Sequence, residues 1–108
     1  MAKTSSKTLN KIRRFIEEAK KSLNISSVIL YGSHVSGKAG TWSDIDIAVI
    51  SNDFKDVNFH QRLVELGKIA WNAKTTEIEA LGFTEEEYKN ATEIDFIWEI
   101  KKSGRIVA

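Results

Sequence analysis

The chain has 108 residues, 42% of them hydrophobic and 29% charged, with a net charge of +1 and neither cysteine nor proline. A chain of this length is expected to form one domain, residues 1–108, that buries roughly 65% of its unfolded surface and needs no disulfide or structural metal to complete a core. A balance this close to neutral argues against a dedicated nucleic-acid binder. The opening stretch MAKTSSKTLNKIRRF lacks the apolar segment of a signal peptide and no apolar run reaches membrane-spanning length, so the expected setting is the cytoplasm.

Charge is unevenly spread. Residues 1–40 carry eight Lys/Arg against two Glu, whereas residues 41–100 carry thirteen acids against five bases. Two readings follow: solvated helix faces in both halves, or an acidic metal site with a basic rim that attracts phosphates.

In chain order, Leu9, Ile12, Phe15, Ile16, Ala19 and Leu23 recur at helical spacing and predict an amphipathic helix starting near Ser6 to Thr8. Ile25 to Tyr31 is a short apolar run ended by Gly32, a buried strand. Trp42 to Ile50 predicts a second strand, with a turn at Ser51-Asn52-Asp53. Asp56 or Asn58 caps a second helix whose apolar stripe is Phe59, Leu63, Leu66 and Ala70. Thr75 to Leu81 alternates and is rich in β-branched residues, a third strand. Thr84 begins a helix with Glu87 in the capping-box position. Ile94, Ile97, Trp98 and Ile100 give the last helix, and Arg105 to Val107 adds a short edge strand. The order α-β-β-α-β-α describes an α/β or α+β layer, a small sheet with helices packed on it.

Two motifs carry chemistry. Alternation along the second strand aims Asp44 and Asp46 the same way, about 6.5–7 Å apart, with Ile45, Ile47 and Val49 on the opposite, core-facing side. Ala48 and Ile50 continue the aspartate face, so that face is covered farther along. Like charges this close raise each other's pKa unless a cation lies between them, and hard divalent ions prefer such oxygens. On spacing alone the choice is between a metal site and an edge strand whose aspartates face water. The second motif is Gly32-Ser33, a strand-ending glycine that lets an anion approach the backbone, followed by a possible helical turn at His34 to Lys38.

Gly-Ser, ten residues, and then Asp44-Ile45-Asp46-Ile47 resembles the signature of the nucleotidyltransferase superfamily related to the DNA polymerase β palm. Gly37 and Ser43 also stand where relatives often have Gly and Ser. The chain is most similar to the minimal nucleotidyltransferases, some of which are antitoxins paired with HEPN-domain toxins. The resemblance implies a nucleotidyltransferase fold and transfer of NMP, AMP from ATP, onto an acceptor hydroxyl. It implies two Mg²⁺ ions held by Asp44 and Asp46 and a third acid from a later strand. Glu79, flanked by Ile78 and Ala80, fits that place better than Glu77, its neighbour on the same predicted face. Gly32, Ser33, Lys38 and Ser43 become candidate nucleotide-binding residues, Lys38 alternatively being a solvated loop lysine. His34 reads as a polar loop residue. Because no acceptor-binding domain is visible, a helical HEPN-type partner would supply the acceptor. The rival is a binding module that neutralises such a partner by contact. Trp71 and Trp98 read as core or interface residues, while Trp42, Phe54 and Trp98 are candidates for partner contacts.

Overall fold

The segment IDIAVI forms the strand around which the rest of the chain packs. In the computed structural model, which describes residues 5–36 and 44–108, this strand is β2, Ile45–Ile50, and every residue in it except Asp46 is buried. The expectations for Gly37, Lys38, Trp42 and Ser43 lie outside the described residues. The full order is α1 (Ser6–Ala19), β1 (Ser27–Tyr31), α2 (Ser33–Ser36), β2, a 3-10 turn (Asn52–Phe54), α3 (Phe59–Asn72), β3 (Ile78–Phe83), α4 (Glu85–Lys89), α5 (Phe96–Ser103) and β4 (Arg105–Ile106).

The four strands form one mixed sheet in the order β3-β2-β1-β4. β1 runs antiparallel to both β2 and β4, and β2 runs parallel to β3. β2 is therefore an interior strand, which removes the edge-strand reading of its aspartates. On one face Val28, Leu30, Ile45, Ile47, Val49 and Ile78 meet Ile12, Phe15, Ile16 and Ala19 of α1 and Leu66, Ile69 and Ala70 of α3. On the other, Ile29, Ala48, Ile50 and Phe83 meet Ile97 and Ile100 of α5. The expected mixed α/β layer is thus three layers deep, helices on both sides of the sheet. Among the described residues no helix is long and apolar enough to cross a membrane.

Local signals set several boundaries. Ser5 caps α1 by accepting from the Thr8 amide at 3.1 Å, and Asn58, not Asp56, caps α3 through the Gln61 amide at 2.8 Å. Thr84 and Glu87 complete the predicted capping box in both directions. Other boundaries move. β3 begins at Ile78 and not Thr75, because Thr75 bonds back to the Ala70 carbonyl and Lys74 takes a positive φ of 59° in the turn between. The single last helix is two: α4 stops at Lys89, and a turn through Thr92 and Asp95 intervenes before α5. Ile94, predicted on the buried stripe, falls in that turn and is 91% exposed.

The largest correction is on α3. Phe59 and Leu63 are exposed, and the inward positions belong to Arg62, Leu66, Ile69 and Ala70. Arg62, only 6% exposed, uses all its donors. Nε donates to the Val57 carbonyl at 2.8 Å, and the two terminal nitrogens donate to Gly82 at 3.1 Å, Phe54 at 3.0 Å, and both oxygens of Glu87 at 2.6 and 3.1 Å. Its guanidinium lies 5.6 Å from the centre of the Phe54 ring. One side chain thereby joins α3, the 3-10 turn, β3 and α4. Phe54 is buried beneath it, so it is a core residue and not a partner contact, whereas Trp71, 74% exposed, is not a core residue.

Arg62→Ala is expected to destabilise the fold by about 3–5 kcal/mol, since it removes all five hydrogen bonds of a buried side chain together with its packing on Phe54. Burial pushes the Glu87 carboxyl upward, but hydrogen bonds from Arg62 and the Thr84 amide outweigh it and hold it below its ordinary 4.5. The stabilisation from this pair is accordingly complete above the ordinary value and lost as pH falls through the lowered one. Urea melts across that acidic window should show a steep loss in the wild type and a flatter profile in Glu87→Gln.

Candidate active site

The site is built at one end of the sheet's α5 face, where the apolar pattern stops. Ile50 and Ala48 of β2 are covered on this face, and the next residue along it is Asp46. The register fixes its neighbours. Asp46 is opposite Tyr31 on antiparallel β1 and opposite Glu79 on parallel β3. Tyr31, Asp46 and Glu79 therefore form one row across three strands, and Asp44, exposed, precedes β2 at the same end. The sequence identified Tyr31 only as the apolar position ahead of Gly32; its place in the acidic row depends on the pairing register, which no local pattern discloses.

β1 ends on Gly32, whose φ of +77° turns the chain into α2. A Cβ built there would lie 2.7 Å from an Asp46 carboxylate oxygen. Glycine is required twice over, by its backbone conformation and by the carboxylate it admits. Ser33 opens α2 next to this approach, and His34 follows, half-buried.

The acids act on one another. Burial raises the Asp46 carboxyl above its ordinary value and the Asp44 charge raises it further, partly offset by His34 and by a hydrogen bond with Glu79. Glu79 is raised mainly by the charge of Asp44, then by burial and by Asp46, and it lies within hydrogen-bonding reach of both aspartates. The Tyr31 hydroxyl is pushed up to about 12 by burial and by the charges of Asp46 and Glu79. The charge of Asp44 thus raises both of its carboxylate neighbours, as like charges gathered in one place do.

Glu77 belongs elsewhere. It precedes β3, so strand alternation does not extend to it, and its side chain pairs with Lys11 of α1 at 3.6 Å. The expectation that Glu77 and Glu79 share a face thus fails: Glu79 is gathered beside the aspartates and Glu77 is tied to a helix. Lys38 and Ser43 lie outside the described residues.

Asp44, Asp46 and Glu79 offer only hard carboxylate oxygens, which suit a divalent cation such as Mg²⁺. Among the described residues, no three acids or histidines are drawn closely enough together to enclose an ion as they stand. The donor chemistry and the raised carboxyls nevertheless fit a cation that would relieve their repulsion.

A family model for the nucleotidyltransferase domain matches residues 9–106, and the chain belongs to that family. The fold is shared with a candidate nucleotidyltransferase from Sulfolobus solfataricus, at 19% identity and a TM-score of 0.65 over 98% of this chain and 87% of that one. It is shared also with a toxin–antitoxin structure determined with AMP-PNP, at 22% identity and a TM-score of 0.63 over 93% of this chain and 72% of the other. No curated protein matches the chain.

Because the native environment raises the Asp46 carboxyl, its ionised form costs stability above the raised value, and the cost vanishes as pH falls below the ordinary one. Asp46→Asn should therefore melt a few degrees higher than the wild type at pH 7 in EDTA, and the gain should fade on acidification. Gly32→Ala should instead lower stability by at least about 1–2 kcal/mol at either pH, from backbone strain to which the clash with the Asp46 carboxylate adds.

Proposed function

We propose that this nucleotidyltransferase-family protein transfers AMP from ATP, with Mg²⁺, to a hydroxyl of a helical HEPN-domain partner as the antitoxin of a toxin–antitoxin pair in the cytoplasm. The observation that carries the transferase reading is the row of Asp46 and Glu79 on adjacent parallel strands, with Asp44 beside them and the Gly32-Ser33 turn against Asp46. The neighbour with AMP-PNP, itself a toxin–antitoxin structure, supports the choice of nucleotide and the partnered setting.

Asp44, Asp46 and Glu79 would hold the Mg²⁺ ions. When bound, the divalent cations supply charge neutralisation for the triphosphate and lower the pKa of the acceptor hydroxyl. The chain's own residues do the positioning. Gly32 keeps the backbone clear for a phosphate, the Ser33 hydroxyl donates to a phosphate oxygen, and Ser43 and Lys38 add a hydrogen bond and a positive charge. Glu79, with its carboxyl raised and its side chain exposed, accepts the proton that leaves the acceptor hydroxyl. Attack on the α-phosphorus then displaces pyrophosphate, with the rate resting on alignment and charge neutralisation.

Calorimetric titration with ATP should give strong Mg²⁺-dependent heats for the wild type and none for Asp46→Asn; equal heats would sink the reading. Glu79→Gln should keep most of the nucleotide affinity yet lose at least about 100-fold in transfer rate, about 2.7 kcal/mol of transition-state stabilisation. Glu77→Gln should transfer normally. A partner neutralised as fully by the Asp44→Asn, Asp46→Asn double variant, with no label transferred from ATP, would identify a contact-only antitoxin.

A further inference from the structure

Beside the carboxylates the surface turns apolar in an unusual way. Ile94 is 91% exposed and Phe96 60%, two large side chains separated by a single residue. They are presented on a closed turn. The Asp95 carboxylate accepts from the Thr92 amide at 2.9 Å and its hydroxyl at 3.3 Å, the Asp95 amide donates to the Thr92 carbonyl at 2.8 Å, and Trp98 donates to the Asp95 carbonyl at 3.0 Å. A turn locked at both ends holds Ile94 outward, so little ordering remains to oppose a contact there.

This projection is continuous with the site. The Phe96 ring packs edge-on against Tyr31, with centroids 6.1 Å apart and planes at 78°, and Tyr31 is the register partner of Asp46. Phe96 thus links the turn that carries Ile94 to Tyr31 and the acidic row. The surroundings are strongly negative. Residues 84–99 hold six acids (Glu85, Glu86, Glu87, Glu93, Asp95 and Glu99) and one base, Lys89; Glu85 and Glu87 are drawn to Asn52 and Arg62 at the far end of β3 from Glu79, which leaves Glu93, Asp95 and Glu99 on the turn and on α5. Glu87 is neutralised by Arg62, and Glu99 has Lys102 at 3.5 Å; Glu93 and Asp95 flank Ile94 directly.

We propose that the Ile94–Phe96 turn is the acceptor-docking lip of the site and that it takes a polypeptide presenting an apolar side chain among lysines or arginines. An isolated apolar pair on an acidic field repels a phosphate backbone, which needs basic contacts, and attracts a basic protein surface whose apolar centre covers Ile94. Trp71, also strongly exposed, lies on α3, which packs on the opposite face of the sheet from α5. The word acceptor rests on the transferase reading above; the docking surface does not.

The test uses the full chain with labelled isoleucine methyls and aromatic rings. Three probes are titrated: a short amidated peptide of lysines and leucines with one tyrosine, its glutamate-for-lysine counterpart, and a uridine oligonucleotide. The basic peptide should shift the Ile94 methyl and Phe96 ring signals, bind less tightly as salt rises, and lose about tenfold in affinity in Ile94→Ser and measurably in Glu93→Lys. The acidic peptide and the oligonucleotide should leave the lip signals in place. No binding of the basic peptide, shifts confined to the Trp71 face, affinity unchanged in Ile94→Ser, or oligonucleotide binding at the lip would each overturn the proposal. ATP–Mg²⁺ titration of the same samples separates the two readings. Peptide binding at the lip without nucleotide binding keeps the docking surface and removes the transferase, and the converse result does the opposite.

Discussion

The constraint on which the structure depends is that β2 is covered on both faces. An interior strand sandwiched between α1 and α3 on one side and α5 on the other has no room for an uncompensated charge along its length. Its only polar residue, Asp46, is therefore confined to the end where α5 cover gives out, and the acidic row can exist only there. Parallel pairing with β3 then brings Glu79 alongside, and antiparallel pairing with β1 brings Tyr31 and the Gly32 turn to the same end. The apolar body supplies rigidity, and the first position beyond it supplies chemistry.

Rigidity also comes from a polar source. Arg62 anchors four elements through its five donors, three of which go to main-chain carbonyls. Its partner Glu87 simultaneously caps α4 through the Thr84 amide at 2.7 Å, so a local capping motif and a long-range ion pair share one carboxylate. The end of β3 that leads into α4 is held by this network, while the other end carries Glu79. Structural and chemical charges are thus segregated along the same strand. One group is paired with a cation and held below its ordinary pKa, and the other stands beside like charges and is raised above it.

That contrast bears on what the site is for. A fold that neutralises a buried arginine but gathers Asp44, Asp46 and Glu79 in one place concentrates carboxylate repulsion where a cation would relieve it. The same acidity extends outward past Tyr31 and Phe96 to the Thr92–Asp95 turn. It shapes which surfaces can approach the site as well as what binds in it.

Much of the fold was legible in the residues because it is written in short-range patterns. The helical stripe of α1, the Asn58 and Thr84 caps, and the strand alternation that separates Ile45, Ile47 and Val49 from Asp46 all depend on neighbours within a few positions. The spacing of Gly32-Ser33 from Asp44 and Asp46 pointed to the nucleotidyltransferase family, to which the chain belongs. What the residues alone left open was settled by partners distant in the chain. Whether Glu77 or Glu79 joins the aspartates depends on where β3 starts and on Lys11 of α1. That Arg62 points inward while Phe59 and Leu63 remain outside depends on carbonyls from three other segments. The placement of Tyr31 opposite Asp46 depends on strand register. The sequence by itself determined which stretches become helices and strands, because propensity, capping and periodicity are local. Only the tertiary structure decided which charged groups are matched and which are left to act, because charge compensation depends on distances that folding alone establishes.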